Sequence, residues 1–118
     1  MCKRILIVDD EKSIREFVTA ALAKQAGEIV EAGSGEEGFE KVMQGSFDLI
    51  ITDNRMSAMS GTDMVSRIRR IPGREYTPVI LLSGDSGLTC EMCNVEAIIC
   101  KPFRLEVLRA TADLVCNG

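Results

Sequence analysis

The residues best suited to chemistry fall in four places: Asp9-Asp10, Asp53, Ser83 and Lys101-Pro102. Three carboxylates drawn into one small volume repel one another, which raises at least one pKa or demands a cation. A hard divalent ion with oxygen ligands meets that need, and Mg2+ suits one or two carboxylates together with phosphate oxygens. Beside a phosphoryl group, Mg2+ also neutralises the charge that develops during transfer. Lys101 adds a second cation, and the Ser83 hydroxyl can donate to a phosphoryl oxygen. One carboxylate then acts as nucleophile and forms an acyl phosphate. Asp53 is the candidate because it stands alone, whereas Asp9 and Asp10 read as a metal-binding pair. Adjacent strand residues point to opposite faces, so that pair shares a site only where the chain has left strand geometry.

Each residue alone also has a plain structural reading, as a helix cap, a turn or a loop. Their joint meaning depends on the elements that hold them. Arg4–Val8 is a continuous aliphatic run, as in a strand buried on both faces of a parallel sheet. Ile14, Phe17, Val18, Ala21 and Leu22 form one apolar helical stripe, and Gly27 reads as its stop. Glu28–Ala32 is a less apolar strand, suited to a sheet edge. Ser34-Gly-Glu-Glu37 reads as a capping box opening a second helix, with Phe39, Val42 and Met43 inward. Gly38 within that helix costs about 1 kcal/mol against Ala unless close packing requires it. Asp48–Thr52 is a third strand, Met64, Val65 and Ile68 mark a short third helix, and Val79–Ser83 is a fourth strand. Ser86–Cys93 is a poorly periodic helix of about two turns at best. Ala97–Cys100 is a fifth strand, and Leu105, Leu108, Ala112 and Val115 mark the last helix.

Five strands alternating with five helices define an α/β fold, a doubly wound five-stranded parallel sheet built from right-handed βαβ units. Ligands in such folds sit outside the carboxyl ends of the strands. The four polar positions lie at the ends of strands one, three, four and five, so they converge on one edge of the sheet.

Composition removes several classes of function. The 118 residues suit a single domain, 1–118, with 46% hydrophobic and 27% charged residues. There is no histidine, which excludes a Ser-His-Asp or Cys-His pair, a histidine metal ligand or a phosphohistidine within the chain. Trp is absent and Tyr76 is the sole tyrosine, so base stacking is disfavoured. A net charge of −4 argues against nucleic acid and anionic membrane as partners. Arg67, Arg69, Arg70 and Arg74 read as a solvated helix end. Aliphatic runs stop at four residues, too few for a membrane span or a signal peptide. The five cysteines, Cys2, Cys90, Cys93, Cys100 and Cys116, read as free thiols of a reducing cytoplasm. Cys90-Glu-Met-Cys93 has redox or zinc spacing but lacks a second ligand pair.

Over nearly its whole length the sequence resembles the response-regulator receiver domain of two-component signalling. The resemblance rests on Ile5-Leu-Ile-Val-Asp-Asp10, Asp48-Leu-Ile-Ile-Thr-Asp53, Met56, Gly61, Val79-Ile-Leu-Leu-Ser83 and Lys101-Pro-Phe103. It implies strand order 2-1-3-4-5 and phosphorylation of Asp53 by the phosphohistidine of a sensor histidine kinase or a histidine phosphotransfer protein. It implies Mg2+ held by Asp9, Asp10, Asp53 and the Arg55 backbone carbonyl. Ser83 and Lys101 would contact the phosphoryl group, and the Lys101–Pro102 bond would be cis. A downstream protein would read the surface of helix four, strand five and helix five.

Several positions depart from that pattern. Ser57 stands where the family often has Pro. Ile98 stands at the aromatic switch position and brings a stiff β-branched shape with no hydroxyl. Only 17 residues separate Ser83 from Lys101, so helix four should be short. Arg55 and Asp85 hold positions that tune dephosphorylation, and their pairing across the pocket mouth would slow attack by water.

The leading expectation is a stand-alone phosphoacceptor switch, not an enzyme beyond its own phosphorylation and dephosphorylation, that alters partner binding or passes its phosphate to another histidine in a phosphorelay. The alternative is an interaction module of the same fold that ignores phosphate. A hydrolase would need a general acid where Arg55 stands. A flavin module would need a phosphate-cradling loop where Asp9-Asp10-Glu11 stands.

Overall fold

Residues 2–117 are described in a computed structural model; Met1 and Gly118, the ends of the expected domain, lie outside the described residues. The elements run β1 (Cys2–Val8), α1 (Lys12–Leu22), β2 (Ala26–Ala32), α2 (Gly35–Gln44), β3 (Leu49–Asp53), α3 (Gly61–Ile68), β4 (Val79–Ser83), α4 (Cys90–Cys93), β5 (Ala97–Cys100) and α5 (Leu105–Asn117). All strand pairs are parallel, in the order β2-β1-β3-β4-β5. The less apolar β2 is an edge strand, as its composition suggests.

The period of two along each strand divides the core into two layers. Leu6, Val8, Ile50 and Leu81 join Val42, Met64, Val65 and Ile68 on the face covered by α2 and α3. Ile5, Ile7, Ile51 and Ile80 join Val18, Leu22 and Leu108 on the face covered by α1 and α5. Burial of each such side chain contributes about 1.5–3 kcal/mol. That double coverage explains why β1, β3 and β4 read as unbroken aliphatic runs.

Ser34 caps α2, its Oγ accepting from the Glu37 amide at 3.0 Å, while Glu37 Oε1 accepts from the Gly33 amide at 2.7 Å. Gly38 is required by packing. A Cβ there would lie 2.8 Å from Met64 Sδ and 2.9 Å from Val8 Cγ2. The missing side chain lets α2 approach β1 and α3.

Five expectations need correction. Gly27 lies inside β2 and does not end α1. Met43 is 59% exposed, because α2 turns it away from the sheet, and Phe17 is 49% exposed. Phe17 instead lines a groove of about 430 Å³ with Glu11, Ile14, Lys101, Pro102 and Phe103. The weak helix over Ser86–Cys93 is short as expected, the single turn of α4. Arg69 is not solvated: its guanidinium donates to the Thr77 carbonyl at 2.5 Å and the Asn94 carbonyl at 3.0 Å, and pairs with Glu96 at 3.5 Å. Finally, Cys2 and Cys116 form a disulfide between the start of β1 and the end of α5, leaving Cys90, Cys93 and Cys100 free. Residues separated by 114 positions meet because β1 lies inside the sheet and α5 packs back against it.

Candidate functional site

Strand β1 ends at Val8, so Asp9 and Asp10 lie beyond it and escape strand alternation. Their carboxylates converge with that of Asp53, which ends β3; one oxygen from each lies within 4.8 Å of the others. Asp9 is buried, and one of its oxygens, Oδ2, has no hydrogen-bond partner. Burial pushes the Asp9 carboxyl above the usual carboxylate range. A hydrogen bond from the Glu11 amide opposes that shift, and the neighbouring Asp53 and Asp10 charges add to it. An orphaned buried oxygen on one of three converging carboxylates fits a hard divalent cation.

The opposite wall is built by β4 and β5. Lys101 Nζ lies 2.5 Å from Asp53 Oδ1. Its backbone amide extends the β4–β5 ladder by donating to the Ser83 carbonyl at 2.8 Å, and the Lys101–Pro102 bond is cis. Ser83, buried at the end of β4, accepts from the Asp85 amide at 3.0 Å. Asp53, Ser83 and Lys101 line a cleft of about 550 Å³ together with Glu11, Asn54, Arg55, Gly84 and Asp85. Arg55 and Asp85 therefore both reach the cleft, but no ion pair joins them among the described residues, and Asp85 Oδ1 accepts from the Gly87 amide at 2.8 Å.

The loop from β3 to α3 holds a contact not visible in sequence. Ser57 donates its backbone amide to Asp10 Oδ2 at 3.1 Å, with its hydroxyl 3.4 Å from the same oxygen. A proline at this position would have no amide to give. The chain turns back there through Ala58, whose φ of 65° is left-handed. Asn54 then links the loop to the sheet, donating to the Leu82 carbonyl and accepting from the Gly61 amide, each at 2.9 Å. Ile98 sits on β5, half-buried against the core layer that contains Val65 and Leu81.

A parallel sheet of order β2-β1-β3-β4-β5 with helices on both faces is the CheY-like flavodoxin fold, here carrying an acidic trio and a lysine at its carboxyl edge. The family model of the response regulator receiver domain matches residues 5–113, and the chain belongs to that family. Among curated relatives it is 35% identical over 116 residues to the transcriptional regulatory protein DltR of Streptococcus agalactiae, covering 94% of this chain and 50% of the relative. It is 33% identical over 120 residues to the transcriptional regulatory protein SrrA of Staphylococcus aureus, covering 97% of this chain and 48% of the relative. The chain thus spans about half the length of these relatives. Among solved structures, the chemotaxis response regulator CheY4 of Vibrio cholerae superposes with a TM-score of 0.87 at 29% identity, covering 98% of this chain and 99% of that one. The response regulator TrrA of Thermotoga maritima, solved with Mg2+-BeF, superposes with a TM-score of 0.84 at 31% identity, covering 96% and 98%. No helix among the described residues is long and apolar enough to cross a membrane.

Proposed function

We propose that this receiver domain is a Mg2+-dependent phosphoacceptor switch whose acceptor is Asp53. The observation that carries the reading is the Asp53 carboxylate held between two further carboxylates and the Lys101 ammonium. Asp9, Asp10, Asp53 and the Arg55 carbonyl would hold the metal. When bound, Mg2+ would neutralise charge on the phosphoryl oxygens.

In the transfer, an Asp53 oxygen attacks the phosphorus of a phosphohistidine on a partner kinase or phosphotransfer protein. The P–N bond breaks and an acyl phosphate forms. Lys101, already on Asp53, shifts its hydrogen bonds to a phosphoryl oxygen, and the Ser83 hydroxyl donates to another. Phosphate is lost when water attacks that phosphorus and the P–O bond to Asp53 breaks, releasing inorganic phosphate and the free carboxylate, and Arg55 and Asp85 at the cleft mouth would slow it. The chain acts as a switch rather than as an enzyme on other substrates. Its site is suited to the cytoplasm, where its phosphodonors act, and the output passes to a downstream protein through α4, β5 and α5.

Intact-mass measurement after incubation with a small acyl-phosphate donor tests this directly. One phosphoryl group should appear, require Mg2+, and vanish in Asp53→Asn. Arg55→Ala should lose its phosphate faster. Absence of any gain would favour the phosphate-independent interaction module, to which Ile98 and the one-turn α4 lend weight.

A further inference from the structure

Apart from the acidic site, the other cluster of reactive groups lies in α4. That element is a single turn. Thr89 caps it, its Oγ1 accepting from the Met92 amide at 3.1 Å, and Asn94 ends it with a left-handed φ of 56°. Cys90 and Cys93 are its first and last residues. Helical rise and radius place Cα atoms three residues apart at about 5 Å, inside the ~4.4–6.8 Å window of disulfides. Cys90 is exposed, and Cys93 is buried in the core layer with Met64, Val65 and Ile68. Burial pushes the Cys93 thiol up, and the charged forms of Cys90 and Asp85 add to that. The acidic trio of the phosphoacceptor site is the sole group of three potential metal ligands among the described residues, so the cysteine pair lacks the further ligands of a zinc site.

We propose that Cys90 and Cys93 form a dithiol that exchanges with exogenous disulfides, with Cys90 as the attacking thiol and Cys93 as the resolving one. The Cys90 thiolate attacks one sulfur of a low-molecular-weight disulfide. The S–S bond breaks, one thiolate leaves, and a mixed disulfide remains on Cys90. Cys93 then loses its proton to solvent and attacks Cys90 Sγ, and the second thiolate leaves. Two electrons pass from the cysteine pair to the external disulfide, which becomes two thiols. Transient disulfides of this kind are compatible with a reducing compartment.

The reaction is coupled to the fold by geometry. Side chains at i and i+3 on a helix have Cβ atoms about 5–6 Å apart, whereas a disulfide needs about 3.5–4.5 Å. Closing the bond therefore deforms the turn and draws the Cys93 sulfur from its core contacts. Because α4 is one turn with one side-chain cap, no neighbouring turn resists that change.

The test uses the full chain, reduced, then exposed to oxidised glutathione, alkylated and digested with a glutamate-specific protease. Cleavage after Glu75, Glu91, Glu96 and Glu106 puts Cys90, Cys93 and Cys100 on separate peptides, 76–91, 92–96 and 97–106. The expected product is a linked pair of peptides 76–91 and 92–96, about 2 Da lighter than their sum. It should be retained in Cys100→Ser and lost in Cys90→Ser, an exposed position that leaves the core intact. In the oxidised protein, amide exchange at Met92 and Cys93 should be at least ~10-fold faster. A glutathione adduct that persists on Cys90, or a link from Cys90 to Cys100, would overturn the proposal. A Cys90–Cys93 link with unchanged amide exchange would overturn its coupling to the turn. None of these readouts depends on phosphorylation.

Discussion

Gly61→Ala should destabilise the domain by about 2 kcal/mol. Gly61 opens α3 against the end of β3. An added Cβ would stand 2.4 Å from the Asp53 carbonyl oxygen, 3.0 Å from Asn54 Cα and 3.1 Å from Leu81 Cδ1. The first two obstacles are backbone, and that backbone is held. The Gly61 amide donates to the Asn54 carbonyl, and the Asn54 amide to the Leu82 carbonyl, both at 2.9 Å. Relief requires shifting α3 or the end of β3 by several tenths of an ångström. Overpacking that moves backbone costs about 1–3 kcal/mol, and the upper end applies here. Alanine's better helix propensity offsets at most ~1 kcal/mol. At an unfolding entropy of about 2.1 cal/mol/K per residue, 2 kcal/mol lowers Tm by about 8 °C in a chain of this length. Thermal melts by circular dichroism should therefore rank Gly61→Ala well below Gly84→Ala, because a Cβ at Gly84 meets nothing within 4 Å. Equal melting of the two variants would refute the argument that close approach fixes this glycine.

Asp9→Asn should raise Tm at neutral pH and, under the proposed function, added Mg2+ should raise the Tm of the parent but not that of the variant. The folded-state pKa of Asp9 is raised above the usual value of 3.8, so ionising it in the fold costs stability. The cost is absent below that value, grows as pH rises through the shifted pKa, and is complete above it. A Tm gain confined to acid pH would contradict this sign. Arg69→Met should cost about 1–3 kcal/mol in urea unfolding, because it strands the carbonyl of buried Thr77 that the guanidinium now satisfies. Reducing the Cys2–Cys116 disulfide, which spans 114 positions, should lower stability by about 2–4 kcal/mol. Cys2→Ser should melt at the lower temperature with or without reductant.

What the sequence discloses here is what local chemistry and periodicity encode. Aliphatic runs at Ile5–Val8 and Val79–Leu82 expose the buried strands, and alternation with helical stripes exposes the parallel topology. Because every strand points the same way, polar residues at strand ends must meet, so the Asp9, Asp10, Asp53, Ser83 and Lys101 constellation is readable before any coordinates. Long-range pairings are not. The Cys2–Cys116 bond depends on how far α5 runs back over the sheet. Arg69 reads as one of four arginines, and only the fold shows the Thr77 and Asn94 carbonyls converging on it. Ser57 reads as a missing proline; its gain of an amide matters because the turn at Ala58 brings Asp10 within reach.

Under the proposed function, the same limits bear on how a change at Asp53 reaches α4, β5 and α5. Ile98 offers no hydroxyl and little rotamer freedom, so an aromatic side chain swinging inward is unavailable at that position. A different route is built from the β4 end. Ser83 Oγ accepts from the Asp85 amide, Asp85 Oδ1 accepts from the Gly87 amide, and Thr89 caps α4 two residues later. Under the proposed function, Ser83 would turn its hydroxyl toward a phosphoryl oxygen, and the turn that starts on that oxygen would have to adjust with it. The segment it leads into has only one helical turn, and Arg69 and Glu96 pin the chain just beyond it. A short loop fixed at its far end and altered at its near end concentrates the change in α4. Under the proposed function, the shortness of α4 would thus remove helical structure from the output face while making what remains easier to move.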